Sequence, residues 1–67
     1  MKLKIDDLEK VVHWVKKNTS EVFVRLEIDH DKRTLVFKCN DKYQTGVEIR
    51  VFDEGSMGPR VRKEEPL

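Results

Sequence analysis

Between Glu21 and Asp53, apolar residues recur at every second position in three separate runs. Val22, Val24, Leu26 and Ile28 form the first, Leu35, Phe37 and Cys39 the second, and Val47, Ile49 and Val51 the third. Side chains on a strand point to opposite faces in turn, so each run gathers its apolar set on one side. Three such runs predict an antiparallel sheet with one apolar face that a further element must cover.

The stretch Asp6 to Asn18 is the expected cover. Leu8, Val11, Val12 and Val15 fall at spacings of three and four, which is the stripe of an amphipathic helix, with Ile5 below it. Asp6 followed three residues later by Glu9 reads as a capping box. Acidic Asp6, Asp7 and Glu9 in the first turn and Lys16 and Lys17 in the last complement the helix dipole. Met1 to Ile5 alternates Lys2 and Lys4 with Leu3 and Ile5 and either adds a short edge strand or, the preferred reading, leads into the helix; Asn18-Thr19-Ser20 turns the chain toward the sheet.

Parity fixes much of the register. A four-residue loop His30-Asp31-Lys32-Arg33 pairs Asp29 with Thr34, which sets Ile28 against Leu35 and Leu26 against Phe37. The second connection, near Asn40-Asp41-Lys42, has two solutions. A tight three-residue turn puts Tyr43 and Thr45 on the buried side, whereas a longer loop ending near Gly46 sets Lys38 against Glu48. Beyond Asp53 two glycines and a proline interrupt the pattern, and Arg60 to Leu67 is charged with little to bury. The expected fold is α+β: one N-terminal helix packed on a three-stranded antiparallel meander (α-β-β-β) over residues 1–53, with 54–67 a flexible C-terminal tail.

Two groups of residues lie outside this scheme. Trp14 sits beside the apolar stripe, either closing the seam between helix and sheet or standing out as an aromatic anchor for a partner. The second sheet face carries Phe23, Arg25, Glu27, Val36, Lys38, Glu48, Arg50 and Phe52. That face is either solvated or, if Phe23, Val36 and Phe52 cluster, a partner surface rimmed by Arg25 and Arg50.

Sixty-seven residues form one domain with a thin core, for which oligomerisation is a common remedy, so a homodimer is a reasonable expectation. Fourteen basic residues against thirteen acidic ones give a net charge of +1, too small for strong whole-molecule attraction to nucleic acid or an anionic membrane. One cysteine excludes an intrachain disulfide and fits a reducing compartment. The N-terminus lacks the continuous apolar core of a signal peptide, so the chain reads as soluble and cytoplasmic. Alanine is absent and lysines outnumber arginines nine to five. That bias suits an AT-rich coding genome, as in many small phage or mobile-element genes.

Candidate chemistry is sparse. His13, His30 and Cys39 are the soft metal ligands, but they fall on the outer helix face, in a turn and in the apolar repeat, and are not expected to converge. Cys39 reads as a small hydrophobe rather than a nucleophile. His30 beside Asp31 is the only acid–base pairing of note, and no phosphate loop or cofactor motif is present. A helix followed by a three-stranded meander is similar in topology to the first part of a double-stranded-RNA-binding domain. The second helix that such domains add has no counterpart in this Gly- and Pro-broken tail, so the likeness is one of topology alone.

These features point to a small non-catalytic module that binds another protein or a second copy of itself, with Trp14, Phe23, Arg25, Val36, Arg50 and Phe52 as the partner-binding residues. The alternative is a nucleic-acid-binding regulator using Arg25, Lys38 and Arg50 on the sheet or Arg60, Arg62 and Lys63 in the tail. A minimal hydrolase built on His30 and Asp31 ranks last. No cofactor, membrane or small-molecule substrate is expected.

Overall fold

The computed structural model describes residues 1–55 and 57–64. Helix α1 (Ile5–Asn18) precedes strands β1 (Arg25–Asp29), β2 (Thr34–Asn40) and β3 (Gly46–Phe52); a 3-10 turn (Asp53–Gly55) then leads to β4 (Arg60–Lys63). The strands form one sheet in the order β1-β2-β3-β4, with every neighbouring pair antiparallel. The α+β class stands, and the sheet has four strands where three were expected.

The fourth strand comes from the stretch read as tail. Glu54 and Gly55 adopt left-handed backbone (φ 59 and 67), as does Gly58 (φ 69), and together they reverse the chain. The glycines and proline that argued against regular structure are thus the means of folding back. Val61 then pairs with Ile49, and Arg62 with Glu48.

The first hairpin has the expected register: Asp29 faces Thr34, Ile28 faces Leu35 and Leu26 faces Phe37. In the second, Asn40 faces Gly46, so the loop is the longer one and Lys38 faces Glu48. Asp41 organises it, its Oδ1 accepting N–H bonds from Tyr43 and Thr45, each at 2.9 Å. This Asx-type closure leaves Tyr43 out in solvent.

The helix begins at Ile5, with Lys4 at the cap position and no side-chain cap bond, so the Asp6–Glu9 capping box does not form. Instead the Lys4 carbonyl accepts from the Asp7 and Leu8 N–H groups. A strap precedes it: the Lys2 N–H donates to Asp53 Oδ1 at 2.7 Å, and the Lys2 carbonyl accepts from the Glu54 N–H at 2.6 Å. At the other end the Lys42 N–H donates to the Asn18 carbonyl. These ties lay α1 antiparallel to β3.

Val11, Phe37, Cys39, Val47, Ile49 and Val51 form the core, with Leu3, Leu8, Trp14, Val15 and Leu35 packed around them. The core therefore sits between α1 and the two central strands. A helix about 10 Å across spans roughly two strands at about 4.8 Å spacing, so a single helix cannot cover four. On the same face Leu26, Ile28 and Val61 stay about half exposed. The first run is corrected in two ways: its strand begins at Arg25 rather than Val22, and its apolar side chains are not covered.

Candidate interaction surface

The surface is built from β1, the segment before it and one margin of α1. Val22 and Phe23 are 88% and 85% exposed, ahead of the strand; Val24, Leu26 and Ile28 continue the same alternation at 37%, 56% and 56%. On the helix, Ile5 and Val12 at the edge of the stripe are also exposed. These seven are among eleven large hydrophobic side chains exposed among the described residues; Met1, Tyr43, Met57 and Val61 are the others. Val22, Val24, Leu26 and Ile28 share one parity, and exposed apolar side chains gathered on one face are the usual mark of an interaction surface.

The opposite sheet face is arranged differently. Arg50 grips Glu48 through Nε and Nη2 (3.1 and 3.3 Å), and its Nη1 reaches Asp29 Oδ2 at 3.1 Å and Thr34 Oγ1 at 3.4 Å. Lys38 Nζ lies 3.1 Å from Glu27 Oε2. Val36, flanked in register by Glu27 and Arg50, lies under these ion pairs at 3% exposure, with Thr34 fully buried beside it. The carboxylate of Glu48, and next that of Asp29, strengthens the hold of Arg50 on its proton. The Lys32 N–H, and next Arg50, keep the Asp29 carboxyl below its ordinary range.

The residues expected to bind a partner are therefore scattered. Phe23 and Arg25 are exposed on the β1 side, whereas Val36 is buried and Arg50 is committed to its carboxylates. Phe52 is half buried opposite Thr34, at the far end of β2 from Lys38, which faces Arg25. Four residues of strand, roughly 13 Å, separate those two positions. Phe23, Val36 and Phe52 thus form no cluster. Trp14 is half buried and packs against the core, on the seam between helix and sheet.

The alternation places Val24, Leu26 and Ile28, and the helical stripe places Val12 with Ile5 below it, on the covered face, so the sequence pattern does not mark them as surface residues. The signal was available in the widths just compared: one helical stripe is too narrow for three strands. Asp7, a first-turn charge that suits the helix dipole, is 4% exposed, and its Oδ2 has no hydrogen-bond partner among the described residues.

No catalytic constellation assembles among the described residues. His30 is exposed in its turn, His13 is exposed on the helix, and no group of three His, Cys, Asp or Glu is placed to hold a metal. Cys39 is a buried free thiol, pushed up by burial first and then by the carboxylates of Glu21 and Asp41. That disfavours the thiolate a nucleophile needs. No described helix is long and apolar enough to cross a membrane. Compared with protein-family models, curated proteins and solved structures, the chain matches none of them.

Proposed function

We propose that this protein is a non-catalytic interaction module that docks onto another protein surface through β1, the segment before it and the exposed margin of α1. The observation that carries this reading is the uncovered apolar side of the sheet at β1, where Leu26 and Ile28 are half exposed beside a strand edge that is unpaired among the described residues. An open edge offers backbone hydrogen bonds, and alternate apolar side chains offer specificity, which is the physics of strand addition.

The test is capture of partners by the tagged protein from lysate of its source cell, with and without nuclease. The expected result is a stoichiometric protein partner that survives nuclease and is lost with Leu26→Lys while the variant keeps its fold. Unchanged recovery with Leu26→Lys would remove β1 as the docking element.

A second reading has one observation in its favour. Strand β4 adds Arg60 and Arg62 to the sheet face that already carries Arg25, Lys38 and Arg50, where the opposing acids are Glu27, Asp29 and Glu48. Single-stranded or duplex nucleic acid bound there would be released steeply by salt. Flat salt dependence, or no binding at low salt, excludes it.

A further inference from the structure

The free edge of β1 is complementary to itself. Arg33 and Asp53 share a backbone hydrogen bond across β2 and β3. Backbone groups alternate sides along a strand, so the odd residues of β2 bond to β3 and the even ones to β1. Their partners Arg25, Glu27 and Asp29 are thereby used, and the N–H and C=O groups of Leu26 and Ile28 point outward. We infer that a second copy of this chain pairs there, β1 against β1, antiparallel, with Leu26 on the two-fold axis. This rests on the interaction-module reading and names the partner.

The register follows from charge. With Leu26 facing its own copy, Val24 faces Ile28, and both Arg25 residues face Glu27 of the second copy. Moving the axis to Glu27 sets that carboxylate against itself; moving it to Arg25 does the same for the guanidinium. Within one copy Arg25 stands directly opposite Lys38, a like-charge neighbour that destabilises an antiparallel pair. Glu27 of the same chain already pairs with Lys38, and Glu27 of the second copy gives Arg25 a carboxylate of its own. The axis at Leu26 also makes each facing pair of even residues a hydrogen-bonded one, so two four-stranded sheets become continuous.

The helix adds to the same seam. Since α1 runs opposite to β3, and the odd residues of β3 bond to β2 with their side chains toward α1, the handedness of L-residues turns the Ile5 and Val12 flank toward β1. Leu26 and Ile28 project on that same face. The symmetric pair therefore brings two exposed helix margins toward one apolar seam. Such an interface is isologous, and it closes at two copies.

The full chain is first measured by sedimentation over a concentration series, then as Arg25→Glu, as Glu27→Arg and as an equimolar mixture of the two variants. The expected result is a dimer for the native chain and at least tenfold weaker self-association for each variant alone. The mixture should recover the dimer as a heterodimer, because one copy then offers two acids and the other two bases. Circular dichroism confirms that each variant is folded. A native chain that stays monomeric, or a mixture that fails to restore association, overturns the inference. If the chain is monomeric yet its captured partner is lost with Leu26→Lys, the module reading survives without self-pairing; if capture is also indifferent to Leu26→Lys, both fall.

Discussion

The two edge strands of the sheet have opposite characters. On β1, Arg25-Leu26-Glu27-Ile28-Asp29 mixes both signs of charge around two apolar residues. On β4, Arg60-Val61-Arg62-Lys63 carries one apolar residue among three cations. Antiparallel self-pairing about Val61 would set Arg60 against Arg62 twice, and Arg60 already faces Arg50 within the chain. Cationic side chains on an exposed edge are a common guard against unwanted pairing. The molecule thus blocks one edge by charge and leaves the other able to accept a strand. If β1 pairs as proposed, edge identity more than edge exposure decides where this sheet associates.

The largest expected effect separates both edges from the centre. Ile49 is fully buried between α1 and the sheet. Ile49→Ala should cost about 2–5 kcal/mol in urea unfolding, whereas Leu26→Ala in dilute solution should cost less than about 1 kcal/mol. Similar losses at the two sites would mean that β1 belongs to the monomer's core after all. Next comes the connection that delivers β4. Gly55 has φ 67, and a Cβ there would lie 2.6 Å from the Lys4 side chain. Gly55→Ala should therefore lose about 1–2 kcal/mol, with amide exchange faster in Arg60–Lys63 than in Arg25–Asp29.

A smaller effect should convert the guarded edge into an open one. Arg60→Glu replaces two repulsive cross-strand contacts about Val61 with two attractive ones, each worth about 0.2–1 kcal/mol. With both edges then able to self-pair, light scattering should show species growing beyond a dimer with concentration; a variant that stops at the native size would show that charge is not what guards β4.

The smallest effect is on acid stability. The Asp29 carboxyl, bonded by the Lys32 N–H and Arg50, and the Asp53 carboxyl, bonded by the Lys2 N–H and near Arg33, are both held below their ordinary value. A carboxylate more acidic in the folded chain stabilises it above the unfolded pKa, and that contribution fades as pH falls through the folded value. Thermal stability should accordingly drop below about pH 4. Asp29→Asn with Asp53→Asn should flatten that dependence.

Much of the architecture was legible because parity is discrete. A strand slipped by one residue exposes its whole apolar set, so Leu26, Ile28, Leu35 and Phe37 left one workable register for the first hairpin. The tail was harder, because Val61 alone cannot establish an alternation and Gly55, Gly58 and Pro59 suit a reversal as well as an ending. Val36 misled for another reason. It occupies an outward position, and only the side chains gathered on neighbouring strands, Arg50 above all, could bury it.

Cys39 gives the chain an internal reporter. Its thiol is buried and reluctant to ionise, and Val24 and Arg25, where β1 begins, line the same concavity. Cys39 keeps 8% of its surface exposed, so a thiol reagent reaches it through that concavity, slowed by burial and by the low thiolate fraction. The labelling rate reads how accessible that concavity is, without any introduced probe. A strand seated against β1 should slow that chemistry in proportion to its occupancy, turning one unreactive side chain into a titration of the edge.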